Sequence, residues 1–146
     1  MTSDAINPAA CNCLALRQAA RHVTQFYDEF LAPSGLRSTQ YSILARLQRR
    51  GALTINTLAA EMVMDRTTLG RNLLPLERDG LIAIGRGKAD RRSKEICLTP
   101  AGAVRQREGS KAWDQAQARF ESTFGVKRAK ELRVLLTDVT SQELAA

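Results

Sequence analysis

Between Thr54 and Thr99 the chain changes its hydrophobic period repeatedly, and the order of those changes constrains the fold more than any other feature. Thr54-Ile55-Asn56-Thr57-Leu58-Ala59-Ala60-Glu61-Met62 carries Ile55, Leu58, Ala59 and Met62 at the spacing of a short helix. Val63-Met64 leaves room for a turn. Asp65 then offers a carboxylate to cap a second helix, Arg66-Thr67-Thr68-Leu69-Gly70-Arg71-Asn72-Leu73-Leu74, which runs on to about Asp79-Gly80, where glycine is a natural stop. Leu69, Leu73 and Leu76 share one face of that helix, so Arg66, Thr67 and Arg71 point outward. Leu81-Ile82-Ala83-Ile84 and Glu95-Ile96-Cys97-Leu98 follow as a pair of strands.

The loop joining those strands decides what the arrangement is suited to. It holds five basic residues (Arg86, Lys88, Arg91, Arg92, Lys94) against one acid, Asp90. A protruding basic arm can follow a phosphate backbone or enter a minor groove. Hydroxyls and guanidinium groups on the first turns of an exposed helix suit phosphate oxygens and base edges in a major groove. The expected fold is mainly α with a small β-wing, a winged helix-turn-helix flanked by long N- and C-terminal helices. Thr67, Thr68 and Arg71 are the candidates for contacts at or near the bases, Arg66 and Lys88 for phosphates, and Arg92 for the minor groove.

Charge agrees with that reading. Twenty-two basic against fifteen acidic residues in 146 give a net +7, and residues 86–94 alone contribute +4, so an acidic partner is expected. No apolar run approaches the roughly 20 residues that span a bilayer, and Met1-Thr2-Ser3-Asp4-Ala5-Ile6-Asn7-Pro8 lacks the basic start and apolar core of a signal peptide. Three cysteines without a secretion signal point to a reducing cytoplasm. No metal-ligand spacing and no cofactor motif is present, and neither a metal nor a cofactor is expected.

Long amphipathic segments lie on either side. Leu16, Ala19, Ala20, Val23, Phe26 or Tyr27, Phe30 and Leu31 trace an apolar face up to Ala32-Pro33. Thr99-Pro100 opens another helix with Val104, Trp113, Ala116, Phe120 and Phe124 near one side. After Gly125, Leu132, Leu135, Leu136 and Val139 repeat at i, i+3, i+4 and i+7. A small winged domain does not need both flanks for its core, so they are expected to interlock two copies of the chain. The expected organisation is one domain over 1–146, with a DNA-binding lobe over 38–99 and dimerisation helices over 12–33 and 100–144. Cys97, Trp113 and Phe120 are expected in the core.

These residues resemble the MarR family of bacterial transcription regulators. The likeness is carried by Asp65-Arg66-Thr67-Thr68-Leu69 with Arg71, by Leu76-Glu77-Arg78-Asp79-Gly80-Leu81-Ile82, by Asp90-Arg91-Arg92-Ser93, and by Leu98-Thr99-Pro100-Ala101-Gly102. It extends from about Leu14 to about Val139. It implies an obligate homodimer on a pseudo-palindromic double-stranded operator, usually as a repressor. It also implies that Arg92 enters the minor groove, braced by a salt bridge from Asp90.

Cys11-Asn12-Cys13 is similar to the organic-peroxide-sensing branch of that family, in which a cysteine at the start of the first helix is held by a tyrosine further along it. Cys13, Arg21, Thr24 and Tyr27 keep that spacing, and Arg17 stands where the branch carries a second tyrosine. Arg17 lies one helical turn beyond Cys13, where its charge favours a thiolate. The other reading leaves Cys11 and Cys13 as small residues without a redox task. His22 either is a helix residue satisfied within an interface or by solvent, or lines a ligand pocket, with Tyr27, Tyr41 or Trp113 as candidate aromatic walls. The expected effector is accordingly a small aromatic molecule or a peroxide. Two other function classes stay open: an architectural or RNA-binding protein using the same basic arm, and a thiol peroxidase using Cys13.

Overall fold

In the computed structural model, which describes residues 7–88 and 90–145, α1 (Asn12–Leu31) leads into α2 (Ser38–Arg50), β1 (Leu53–Thr54), α3 (Ile55–Met62) and α4 (Arg66–Arg78). The antiparallel strands β2 (Ile82–Arg86) and β3 (Lys94–Leu98) follow, then α5 (Pro100–Phe124) and α6 (Val126–Ser141). The stretch through Ile6, part of the segment read as no signal peptide, and Ala89 of the basic arm lie outside the described residues. No described helix is long and apolar enough to cross a membrane.

Local chemistry sets the boundaries. The Thr54 side chain accepts the Thr57 N–H at 3.1 Å to start α3, and Thr99 Oγ1 accepts the Gly102 N–H at 3.0 Å to start α5. At the end of α4, Gly80 takes φ +73°, and the Leu81 N–H reaches back to the Leu76 carbonyl at 2.9 Å. This left-handed C-terminal turn satisfies carbonyls that the helix leaves free. Gly125, at φ +104°, turns α5 into α6.

The sheet has the order β1-β3-β2. Sequence periodicity missed β1, because two residues show no alternation; Leu53 pairs with Ile96 and Thr54 with Glu95 only once β3 is in place. Leu31, Ile43, Leu44, Leu47, Leu58, Leu69, Leu73, Leu76 and Ile96 are fully buried and form the core of the winged lobe. Tyr41 stacks on Trp113 with ring centroids 6.3 Å apart, tying α2 to α5.

Three core assignments need correction. Cys97 is exposed, because the two-residue alternation of β3 turns its neighbour Ile96 inward and Cys97 outward. Trp113 is only half-buried, packed against the core from outside. Phe120 is half-buried as well and lines a groove. The flanking helices contribute little to the core within one chain: Leu31 is the only fully buried residue of α1, and Ala129 the only buried residue of α6.

A candidate nucleic-acid interface

Asp65 fixes the start of α4 twice over. Its carboxylate accepts the Thr68 N–H at 2.7 Å and the Thr68 hydroxyl at 2.9 Å. These bonds, the backbone one first, hold the Asp65 carboxyl below its ordinary range. Leu69, Leu73 and Leu76 anchor the inner face, which leaves Arg66, Thr67 and Arg71 exposed as expected. Thr68 is also exposed, but its hydroxyl hydrogen is engaged in the cap, so only the oxygen remains as an acceptor toward a ligand.

The helix preceding α4 is oriented by a contact the sequence did not reveal. Glu61 of α3 lies between two arginines of α2, with its Oε2 3.7 Å from Arg46 Nη1 and its Oε1 bonded to Arg50. Arg46 and Arg50 share a face of α2 at i, i+4, but Glu61 lies eleven residues beyond Arg50 on a different helix, so no period along the chain records the contact.

The wing is a tightly folded hairpin. Ile82 pairs with Leu98, Ile84 with Ile96, and Arg86 with Lys94. Two cations directly opposite one another repel unless an anion lies between or beside them. At the tip, the Gly87 N–H reaches the Ser93 carbonyl at 2.8 Å, and the Ser93 N–H and hydroxyl reach the Asp90 carbonyl at 3.1 and 2.8 Å. A Cβ on Gly87 would sit 2.6 Å from Ser93 Oγ and 2.7 Å from that carbonyl, so the turn closes only around glycine. The Asp90 carboxylate accepts the backbone N–H of Arg92 at 2.9 Å. The bracing expected between their side chains is therefore replaced by a bond to the main chain, and among the described ion pairs none joins Asp90 to Arg92. Arg86, Lys88, Arg91, Arg92 and Lys94 are all exposed.

The wing is locked to α5 through Thr99 and Gly102. Thr99 Oγ1 donates to the Gly80 carbonyl at 2.6 Å, and the Thr99 N–H to the Leu81 carbonyl at 3.1 Å. That carbonyl would lie 1.9 Å from a Cβ on Gly102. The Leu98-Thr99-Pro100-Ala101-Gly102 run is thus the joint between the end of α4 and the start of α5.

The proposed sensing residues separate into groups. Cys11 caps α1, its Sγ accepting the Leu14 N–H at 3.4 Å, and Cys13 and Arg17 are exposed on the first turns. Tyr27 points away from them: its hydroxyl donates to Gln117 of α5, and burial, then the nearby Glu121, raises its pKa. Cys13 and Tyr27 stand about 21 Å apart along the helix axis, so the phenol of one chain does not reach the thiol of the same chain. His22 lines a groove of about 630 Å³ between α1, α5 and α6. Its aromatic walls are Phe26, Phe120 and Phe124 rather than Tyr27, Tyr41 or Trp113. Arg128 also lines it, its guanidinium carbon 4.2 Å from the centre of the Phe124 ring.

Comparison with known proteins places this geometry in context. A family model described as the MarR family matches residues 36–94. The organic hydroperoxide resistance transcriptional regulator of Bacillus subtilis (strain 168) is 32% identical over 92 residues, which is 63% of this chain and 63% of that regulator's length. The M. tuberculosis transcriptional regulator MosR is 33% identical, with a TM-score of 0.79 over 93% of this chain and 100% of that one. A structure of MosR in complex with DNA is 35% identical, with a TM-score of 0.75 over 90% of this chain and 99% of that one.

Proposed function

Because this chain belongs to the MarR family of winged helix-turn-helix transcription regulators, we propose that it acts as a homodimeric repressor of a pseudo-palindromic operator, released by a small ligand or by cysteine oxidation. The observation that carries the DNA-binding part is the pairing of a capped helix α4, with Arg66, Thr67 and Arg71 outward, and a hairpin tip that exposes five cations, Arg86, Lys88, Arg91, Arg92 and Lys94, against one acid, Asp90. Arg86 opposite Lys94 is a repulsive pair in the free protein, and a phosphate group relieves it. That MosR, 35% identical to this chain, is solved in complex with DNA supports DNA as the partner here. Family membership also sets aside the thiol-peroxidase alternative.

The dimer reading rests on the flanking helices. Val126, Val134 and Leu135 are 65%, 62% and 64% exposed on α6, and the groove beside them is mainly apolar. Apolar surface of this extent is stabilised by a second copy, and two recognition helices then stand about one helical turn of DNA apart, or a multiple of it. For the signal, Cys13 is accessible and has Arg17 one turn away. An attacking Cys13 thiolate takes the distal oxygen of an organic hydroperoxide as the O–O bond breaks. Cysteine sulfenic acid forms, and the alkoxide that leaves is protonated by water to the alcohol.

Fluorescence anisotropy of the reduced protein on DNA upstream of its own gene, against unrelated duplex, tests the first part. A regulator prefers its site by about 10³ or more, and comparable affinity for both favours the architectural reading. One equivalent of organic hydroperoxide then tests the signal. Release that a reductant reverses and Cys13→Ser abolishes supports cysteine oxidation, whereas binding indifferent to peroxide points to a ligand in the groove beside His22.

A further inference from the structure

The outward stripe of α4 includes two residues that the proposed phosphate and base contacts do not use. Gly70 stands inside the helix, where glycine is less favourable than alanine, yet beyond its own helix backbone and chain neighbours nothing lies within 4 Å of the position its Cβ would take. Packing within the chain therefore gives no reason for a glycine there. One turn further, Leu74 is 66% exposed, although Leu69, Leu73 and Leu76 of the same helix are buried. Thr67, Gly70, Arg71 and Leu74 follow one another at helical spacing and share a face.

We propose that Gly70 and Leu74 determine part of the sequence specificity: the bare backbone at Gly70 lets α4 settle close to the base edges, and Leu74 then packs against the 5-methyl group of a thymine in the major groove. The inference rests on the DNA-binding reading above. Thymine's methyl is the apolar feature that the major groove presents, so an unpartnered leucine on a groove-facing stripe has a defined complement there. The neighbouring Arg66 and Arg71 decide against an apolar protein surface as the occupant of this face. Covering two exposed guanidinium groups without anions carries a desolvation cost, whereas a polyphosphate backbone supplies the anions.

Duplexes selected by the full-length protein from a random pool provide the test. Each thymine of the selected site is replaced singly by deoxyuridine, which removes only the methyl group. Wild-type protein is expected to lose affinity at one thymine per half-site, on the order of fourfold per methyl, and Leu74→Ala to be insensitive at that position. Gly70→Ala is expected to keep or raise the melting temperature while binding the site more weakly. Identical responses of wild type and Leu74→Ala to every replacement, or full binding by Gly70→Ala, overturn the proposal while leaving a sequence-specific regulator standing. A pool from which no sequence is enriched overturns the regulator reading, and this one with it.

Discussion

Single residues of the proposed interface divide into those whose side chains are offered to DNA and those that shape the backbone beneath. Arg92 is exposed on the wing while its own N–H is tied to Asp90. Arg92→Ala is expected to weaken DNA binding and to flatten the slope of log affinity against log salt by about one for the lost ionic contact; an unchanged slope removes Arg92 from the interface. Gly87 touches no ligand in this reading, yet Gly87→Ala should weaken binding as well, because the added carbon collides with Ser93 and the Asp90 carbonyl at the turn. Circular dichroism should show its helices intact. Asp65 carries a pH signature. Its folded pKa is depressed by the Thr68 bonds, so the cap's contribution is complete above the ordinary aspartate range and is lost as pH falls through the lowered folded value. Denaturant midpoints of wild type and Asp65→Asn should therefore converge as the solution is acidified, and a gap independent of pH would show that the charge is not what matters.

Elements were legible where a period or a cap spans enough residues. Leu69, Leu73 and Leu76 mark the buried face of α4, and Asp65 and Thr99 stand where their side chains accept the bonds that start α4 and α5. What escaped is local order that depends on distant partners. β1 is a strand only because β3 lies beside it, and the outward side of Cys97 follows from the register of β3, which places it opposite the exposed Ala83. The joint between α4, the wing and α5 is likewise tertiary. Thr99→Ala should cost about 1 kcal/mol as a lost cap, and somewhat more because the Gly80 carbonyl also loses its partner. Gly102→Ala should be worse, about 1–3 kcal/mol of overpacking, since the Leu81 carbonyl occupies the space. Thermal melts of both variants check the order.

For the whole molecule, the apolar faces of α1 and α6 are the unsatisfied part of a single chain. Leu135 and Leu136 remain 64% and 40% exposed, and the groove next to α6 runs between Phe26, Phe120 and Phe124. A double variant, Leu135→Asp with Leu136→Asp, is expected to sediment as a monomer while keeping the melting of its winged lobe. Its affinity for an inverted repeat should drop toward that for a single half-site. Sedimentation as a dimer would place the interface elsewhere. The Tyr27 phenol, its pKa raised first by burial, donates to Gln117 and links α1 to α5 within one chain.

By itself the sequence determined the winged helix-turn-helix, the outward residues of its recognition helix and the charge of its wing. These depend on neighbours a few positions apart, through helical period, strand alternation and capping. Only the tertiary structure decided that Glu61 holds Arg46 and Arg50, that Asp90 holds the backbone of Arg92, and that Phe26, Phe120 and Phe124 form the wall beside His22. It also directed the Tyr27 hydroxyl to Gln117 of α5. Contacts of that kind arise when helices pack at angles and hairpins close, and no period along the chain records them.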